Sequence, residues 1–172
     1  MVKRVIEIPF SLKGIDRLNA ILKTMSGKTV QLEKLFQKRS IDYLEKRANY
    51  YISITTGGSS WYQVTGKLSR SWIKDYDLGT LINYCGYSAF VEYGTGVAGK
   101  GTHPDAQGYQ YDVNGHGSFG WGFIDDDGNI HWTNGMKAHR FLFDAVQDYV
   151  IGKEYVRIFN KCFEEIVGGI LK

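Results

Sequence analysis

Four histidines, His103, His116, His131 and His139, are the side chains of this sequence best suited to hold a metal or move a proton, because imidazole titrates near neutrality and binds zinc. Their spacing argues against a metal centre. None falls in an HExxH pair or in a paired CxxC and HxxxH arrangement, and alternation puts His131 on the strand face opposite Ile130 and Trp132. The expectation is loop and edge-strand histidines in contact with solvent. Cys85 and Cys162 are too few and too far apart for a disulfide framework or a CxxC pair, and read as reduced, buried thiols.

Other fragments of chemistry fail in the same way. Asp125, Asp127 and Asn129 alternate like the start of a calcium loop, but Ile130 and Met136 stand where that loop needs Gly and Glu, so a hairpin turn is expected. In Gly99-Lys100-Gly101-Thr102 the glycine separates Lys100 from Thr102, and His103-Pro104 follows, which argues against a phosphate loop. Glu92, between Val91 and Tyr93, has two readings: a general base, or the ion-pair or capping partner of another element. No second carboxylate is placed to complete an acid–base pair. The sequence therefore points to no catalytic residue, no metal and no cofactor, and the protein is read as a non-enzyme.

The elements that carry these residues can be read from periodicity. Ile15, Leu18, Ile21, Leu22 and Met25 fall at helical spacing, and Ser26-Gly27 predicts a stop. A longer basic helix then runs through Leu32, Leu35, Phe36, Tyr43, Leu44, Ala48, Tyr51 and Ile52, ending before Gly57-Gly58. Leu68, Trp72 and Tyr76 share one face of a hairpin that turns at Asp77 to Gly79 and returns through Leu81, Ile82, Tyr84 and Cys85. Phe119, Trp121 and Phe123, a turn at Asp125 to Asn129, and Ile130 and Trp132 make a second hairpin. From Ala138 the chain is helical again, with Gly152 placed to kink or divide it. The expected fold is α+β: two N-terminal helices, a small antiparallel sheet with a Gly- and aromatic-rich loop and hairpin, and a long C-terminal helix. No linker or repeat interrupts it, so residues 1–172 form a single domain with an interaction loop at 94–135.

Composition agrees with a folded chain of 172 residues, 43% hydrophobic and 23% charged. No run approaches the roughly 18 apolar residues of a membrane span, and Glu7 and Pro9 precede any signal-like stretch, so neither a membrane-spanning nor a secreted protein is expected. Residues 94–135 hold 11 of the 21 glycines, which concentrates turns there. The net charge of +3 conceals a division: residues 1–75 carry 14 Lys and Arg against 6 Asp and Glu, and residues 76–172 carry 7 against 12. Such halves suit nucleic acid on one side or complementary contact between copies.

Three ordered motifs decide between these. They are Thr65-Gly66-Lys67-Leu68-Ser69-Arg70-Ser71-Trp72, leading into the sheet; Tyr87-Ser88-Ala89-Phe90-Val91-Glu92-Tyr93-Gly94-Thr95, read as a turn; and Ala138-His139-Arg140-Phe141-Leu142-Phe143-Asp144-Ala145, opening the last helix. In this order they resemble the phage neck or tail-completion family, the head–tail joining proteins also called tail components. The resemblance covers nearly the whole chain and rests most on Thr65, Gly66, Leu68, Glu92, Gly94, Thr95, Phe141 and Ala145. Ser88 stands where Ala is usual, and Arg140 where Pro is usual.

The resemblance implies a structural virion protein, assembled in the host cytoplasm into the neck or tail. It would form a homo-oligomeric ring, a hexamer by the sixfold symmetry of tails, against neighbouring neck, head-closure, tail-terminator and tail-tube proteins. DNA would pass through without specific binding. Lys34, Lys38 and Arg39 on the basic helix, facing the acidic half of a neighbour, and the aromatic residues Tyr109, Tyr111, Phe119, Trp121 and Trp132 are the expected contact residues. Two other classes stay open: a non-specific DNA-binding protein using the basic helix, and a small zinc-dependent hydrolase using the histidines.

Overall fold

A computed structural model describes residues 12–55, 65–109, 119–124 and 127–168. The α+β expectation holds, with differences in its parts. The two N-terminal helices are one, α1, Leu12–Thr55. A helix of 44 residues is about 66 Å long at roughly 1.5 Å per residue. Gly27 does not stop it because the apolar stripe stays in phase across the expected break, from Leu18, Leu22 and Met25 to Leu32 and Phe36. One glycine costs only about 1 kcal/mol against alanine, and the hydroxyls of Thr24 and Thr29 bond back to the carbonyls of Ala20 and Met25 on either side of it.

The sheet is likewise two separate two-stranded ribbons. A short helix, α2 (Lys67–Arg70), holds Leu68, which is therefore not a strand residue. It leads into β1 (Trp72–Asp75), which pairs antiparallel with β2 (Thr80–Asn83), Trp72 opposite Asn83 and Ile73 opposite Ile82. The inner face lies on α1. Trp72 Nε1 donates to Asn49 Oδ1 at 2.8 Å, and Lys74 Nζ reaches Asp42 and Glu45, both at 2.9 Å. These two carboxylates hold the Lys74 ammonium well above the ordinary lysine value. The Tyr76 hydroxyl also donates to Asp42, and Ile73 and Ile82 are left on the outer face.

The segment Tyr87–Thr95, expected as a turn, is mostly helix: α3 (Ser88–Tyr93), followed by Gly94 at φ 83° and a single turn, α4 (Gly96–Gly99). The second ribbon pairs β3 (Trp121–Ile124) with β4 (Ile130–Thr133), Phe123 opposite His131 and Ile124 opposite Ile130. A bridge between Thr95 and Met136 joins its base to the rest of the chain.

The expected long C-terminal helix is divided. α5 (Phe141–Ile151) and α6 (Glu154–Val167) meet at Gly152 and at Lys153, whose φ is 56°. Both pack on α1, with Phe36 edge-on to Phe159 at 5.8 Å and Cys162 fully enclosed. The core gathers Ala48 and Ile52 from α1, Leu68 from α2, Cys85, Val91 from α3, and Phe141 and Ala145 from α5. The motif residues Leu68, Phe141 and Ala145 are thus core residues, brought together from two distant stretches.

Candidate functional site

Glu92 lies at the centre of the motif residues. It is buried, 7% exposed, and its α3 carboxylate faces the start of α5. The first N–H groups of a helix have no partner within it and carry the positive end of its dipole. Here Oε2 accepts the N–H of Leu142 and Oε1 that of Phe143, both at 2.8 Å. The residue before the helix, Arg140, supplies no side-chain cap, so a carboxylate from elsewhere in the fold takes that place.

His103 completes the cluster. Its Nδ1 accepts the N–H of Asp105 at 3.1 Å, which places the ring proton on Nε2, 3.3 Å from Glu92 Oε1. The ring lies against Tyr93 at 4.5 Å and edge-on to Phe143 at 5.1 Å. Tyr109 stacks on Tyr93 and donates its hydroxyl to the Gly94 carbonyl. Backbone bonds from His139 N to Val91 O and from Arg140 N to Glu92 O close the same cluster. Glu92 therefore takes the capping role: three protein donors engage its carboxylate. His103 is also buried, against the expectation of solvent contact, because the Gly-rich segment folds back over α3 and carries it inward.

The other histidines are apart. His131 stacks on Phe123 at 5.3 Å. His139 is half-buried, burial lowers its pKa, and its Nδ1 has no hydrogen-bond partner among the described residues. His116 lies outside the described residues. Among the described residues, no three His, Cys, Asp or Glu side chains gather to hold a metal.

The expected contact residues divide between inward and outward positions. Tyr109 is committed to the Glu92 cluster, and Trp121 lies against Gly96, where an added Cβ would sit 3.0 Å from its ring. Neither is an exposed anchor. Phe119 and Trp132 are, at 86% and 69% exposure; Tyr111 lies outside the described residues. On α1, Arg39 bonds Glu165 at 2.6 Å and leans towards the Cys162 sulfur, Lys34 meets Asp77 at 3.5 Å, and Lys38 lies over the Tyr76 ring. Much of the charge division is therefore satisfied within one chain.

Periodicity alone did not reveal a second cluster on α1. Arg47 Nε and the Tyr51 hydroxyl both donate to Asp148 Oδ2 on α5. Arg47 and Tyr51 stand one helical turn apart, but Asp148 is about a hundred positions away, so no local spacing signals the meeting. The groove beside it, about 610 Å³, is lined by Tyr43, Lys46, Tyr50 and Arg157 among others, and the charges of Arg47 and Arg157 are paired there.

Burial pushes the Asp148 carboxyl up, but the hydrogen bonds from Arg47 and Tyr51 outweigh it and hold the group below the ordinary carboxylate range. Its contribution is then full above about pH 4, the unfolded value, and is lost as the pH falls through the lower folded value. Since these side chains are about one-third exposed, Asp148→Asn is expected to cost only about 1 kcal/mol at neutral pH. That is a fall of roughly 3 °C in melting temperature, and the gap from wild type should close in strong acid. Thermal unfolding of both proteins across pH checks this.

No protein-family model, curated protein or solved structure matches the chain. The motifs themselves then carry the functional reading, and one of them differs from the resemblance in backbone as well as in residue. Arg140 has φ 51°, whereas a proline ring fixes φ near about −65°, so proline could not stand here without rebuilding the approach to α5. Chemically, the site does not expose a nucleophile or a free acid–base pair. It fastens the 94–109 segment to the first turn of α5.

Proposed function

We propose that this protein is a structural virion component of a tailed bacteriophage or a phage-tail-like particle, a ring-forming subunit of the neck or tail-completion region that joins head to tail. One observation carries the reading. The residues on which the resemblance rests, Leu68, Glu92, Phe141 and Ala145 among them, build and fasten a core, while each two-stranded ribbon leaves an apolar face outward. Two-stranded ribbons are marginal alone in water, and exposed apolar faces of this kind suit burial against another chain. Its partners are further copies of itself, the neighbouring head-closure and tail proteins, and DNA held without sequence recognition.

The reading is tested in the particle that encodes the chain. Removing it should leave filled heads and finished tails unjoined, and imaging of intact particles should place a ring of this protein at the neck. Joined particles without it, or label found away from the neck, would overturn the reading. Retention on DNA that falls steeply with salt would favour the DNA-binding alternative, and stoichiometric zinc after dialysis the hydrolase.

A further inference from the structure

The stretch that leads into α5 is fastened by three successive backbone donors. The Ala138 N–H reaches the Thr102 hydroxyl at 2.9 Å, the His139 N–H the Val91 carbonyl at 2.9 Å, and the Arg140 N–H the Glu92 carbonyl at 3.2 Å. These bonds tie α5 to α3 and to the 94–109 segment at one joint. Arg140 has φ 51° there, a left-handed conformation that side chains with a Cβ adopt only at a cost. The joint therefore closes against some backbone strain.

His139 is the middle residue of this joint, and its Nδ1 is enclosed with no hydrogen-bond partner among the described residues. Buried polar atoms are nearly always answered, so an unanswered one asks for a reason. The ring is only half-buried, and Nδ1 alone of its two nitrogens is enclosed without a partner. The neutral ring can thus keep its proton on Nε2 and leave a lone pair at Nδ1. An imidazolium has no such choice: both nitrogens carry an N–H, and one donor of a charged ring would lie enclosed without an acceptor.

No counter-charge among the described residues offsets this, and burial is the cause of the lowered pKa. Of the ionisable side chains on the elements that meet here, Glu92 is engaged by α5 and His103. Asp144 is paired with Arg140 at 3.5 Å, and Tyr93 lies against the His103 ring. Lys137, beside the joint in sequence, has the same sign of charge as a protonated His139.

We propose that His139 makes this joint an acid-sensitive clasp: the neutral ring stays docked, and on protonation it turns out to water and releases residues 138–140 from α3 and Thr102. The sign follows from linkage. A ring that takes up a proton more readily when released than when docked favours release as the pH falls. The effect begins below about pH 6.5, the ordinary histidine value, and raises the open fraction by up to about tenfold per pH unit until the docked ring is itself protonated. Ordinary carboxylates keep their charge between about pH 5 and pH 7, so histidine dominates that window.

Amide hydrogen exchange of the full chain, expressed as protection factors across the same window, tests the clasp. In wild type, protection at His139 and Arg140 should fall by up to about tenfold per pH unit below about pH 6.5, while the β1–β2 ladder keeps its protection. His139→Phe fills the space with a ring that gains no proton, so its Arg140 protection should stay level. The wild-type imidazole gives a second reading that needs no variant: by nuclear magnetic resonance it should titrate below the ordinary histidine value, with the neutral form protonated on Nε2. Level protection in wild type would overturn the proposal. So would an imidazole that titrates at or above about pH 6.5, or an equal fall in His139→Phe, which would assign the acid sensitivity to His103.

Discussion

Replacing Glu92 with alanine is expected to cost about 3–5 kcal/mol, since it leaves three buried N–H donors without an acceptor, each at a penalty of roughly 1–3 kcal/mol. In a chain of this length that lowers the melting temperature by roughly 10 °C. The carboxylate answers two backbone donors at the start of α5 and the His103 ring N–H. Alanine leaves all three buried without an acceptor, and water cannot easily replace it at a position 7% exposed. The damage should also be directional. The first turn of α5 and the segment around His103 should lose hydrogen-exchange protection before the ladders of β1–β2, which do not touch Glu92. Glu92→Gln separates this account from a catalytic one. Its amide oxygen can accept one backbone N–H, but its NH₂ group must then face another donor, so an intermediate loss of stability is expected. A general base would instead tolerate glutamine in the fold. A Gln variant as stable as wild type would overturn the capping account.

The limits of the sequence reading can be traced to particular residues. Both hairpins were legible because β-branched and aromatic residues alternate there and turn residues separate them. The division near Gly152 was legible for the same local reason. The Ser26-Gly27 stop was not realised, because a local breaker of about 1 kcal/mol competes with an apolar stripe that continues in register on both sides. Glu92 could be named as a capping partner, since a carboxylate between two apolar residues needs one. Its partner could not, because Leu142 and Phe143 lie some fifty positions away and contribute only backbone N–H groups, which leave no mark on residue type. His103 was misread because nothing local distinguishes a histidine that a glycine-rich segment folds inward from one that it leaves in water. The charge division was visible, but not its spending: Arg39 with Glu165 and Arg47 with Asp148 are pairs between distant elements.

Gly135→Ala is expected to have the other large effect, at least about 3 kcal/mol, since it combines backbone strain with a steric overlap that no side-chain movement can relieve. Gly135 has φ 95°, and a Cβ there would lie 1.9 Å from the Thr95 carbonyl oxygen and 2.5 Å from its carbon. The contact is so close because Thr95 and Met136 exchange backbone hydrogen bonds, Thr95 N to Met136 O at 2.8 Å and Met136 N to Thr95 O at 3.1 Å. The Thr95 hydroxyl also accepts from Met136 N. To make room, the bridge must open, and with it the junction that ties the base of the β3–β4 ribbon to α3 and the core. Gly101→Ala is the control: φ there is 75°, but nothing lies within 4 Å of the added carbon, so only the left-handed conformation is penalised, by about 1–2 kcal/mol. Thermal unfolding of the two variants should therefore separate steric from conformational cost, with Gly135→Ala the more damaging. Hydrogen exchange at Thr95 and Met136 should accelerate in Gly135→Ala alone. Equal loss in both variants would mean that the crossing can yield, and that the ribbon is held by its side chains rather than by this backbone junction.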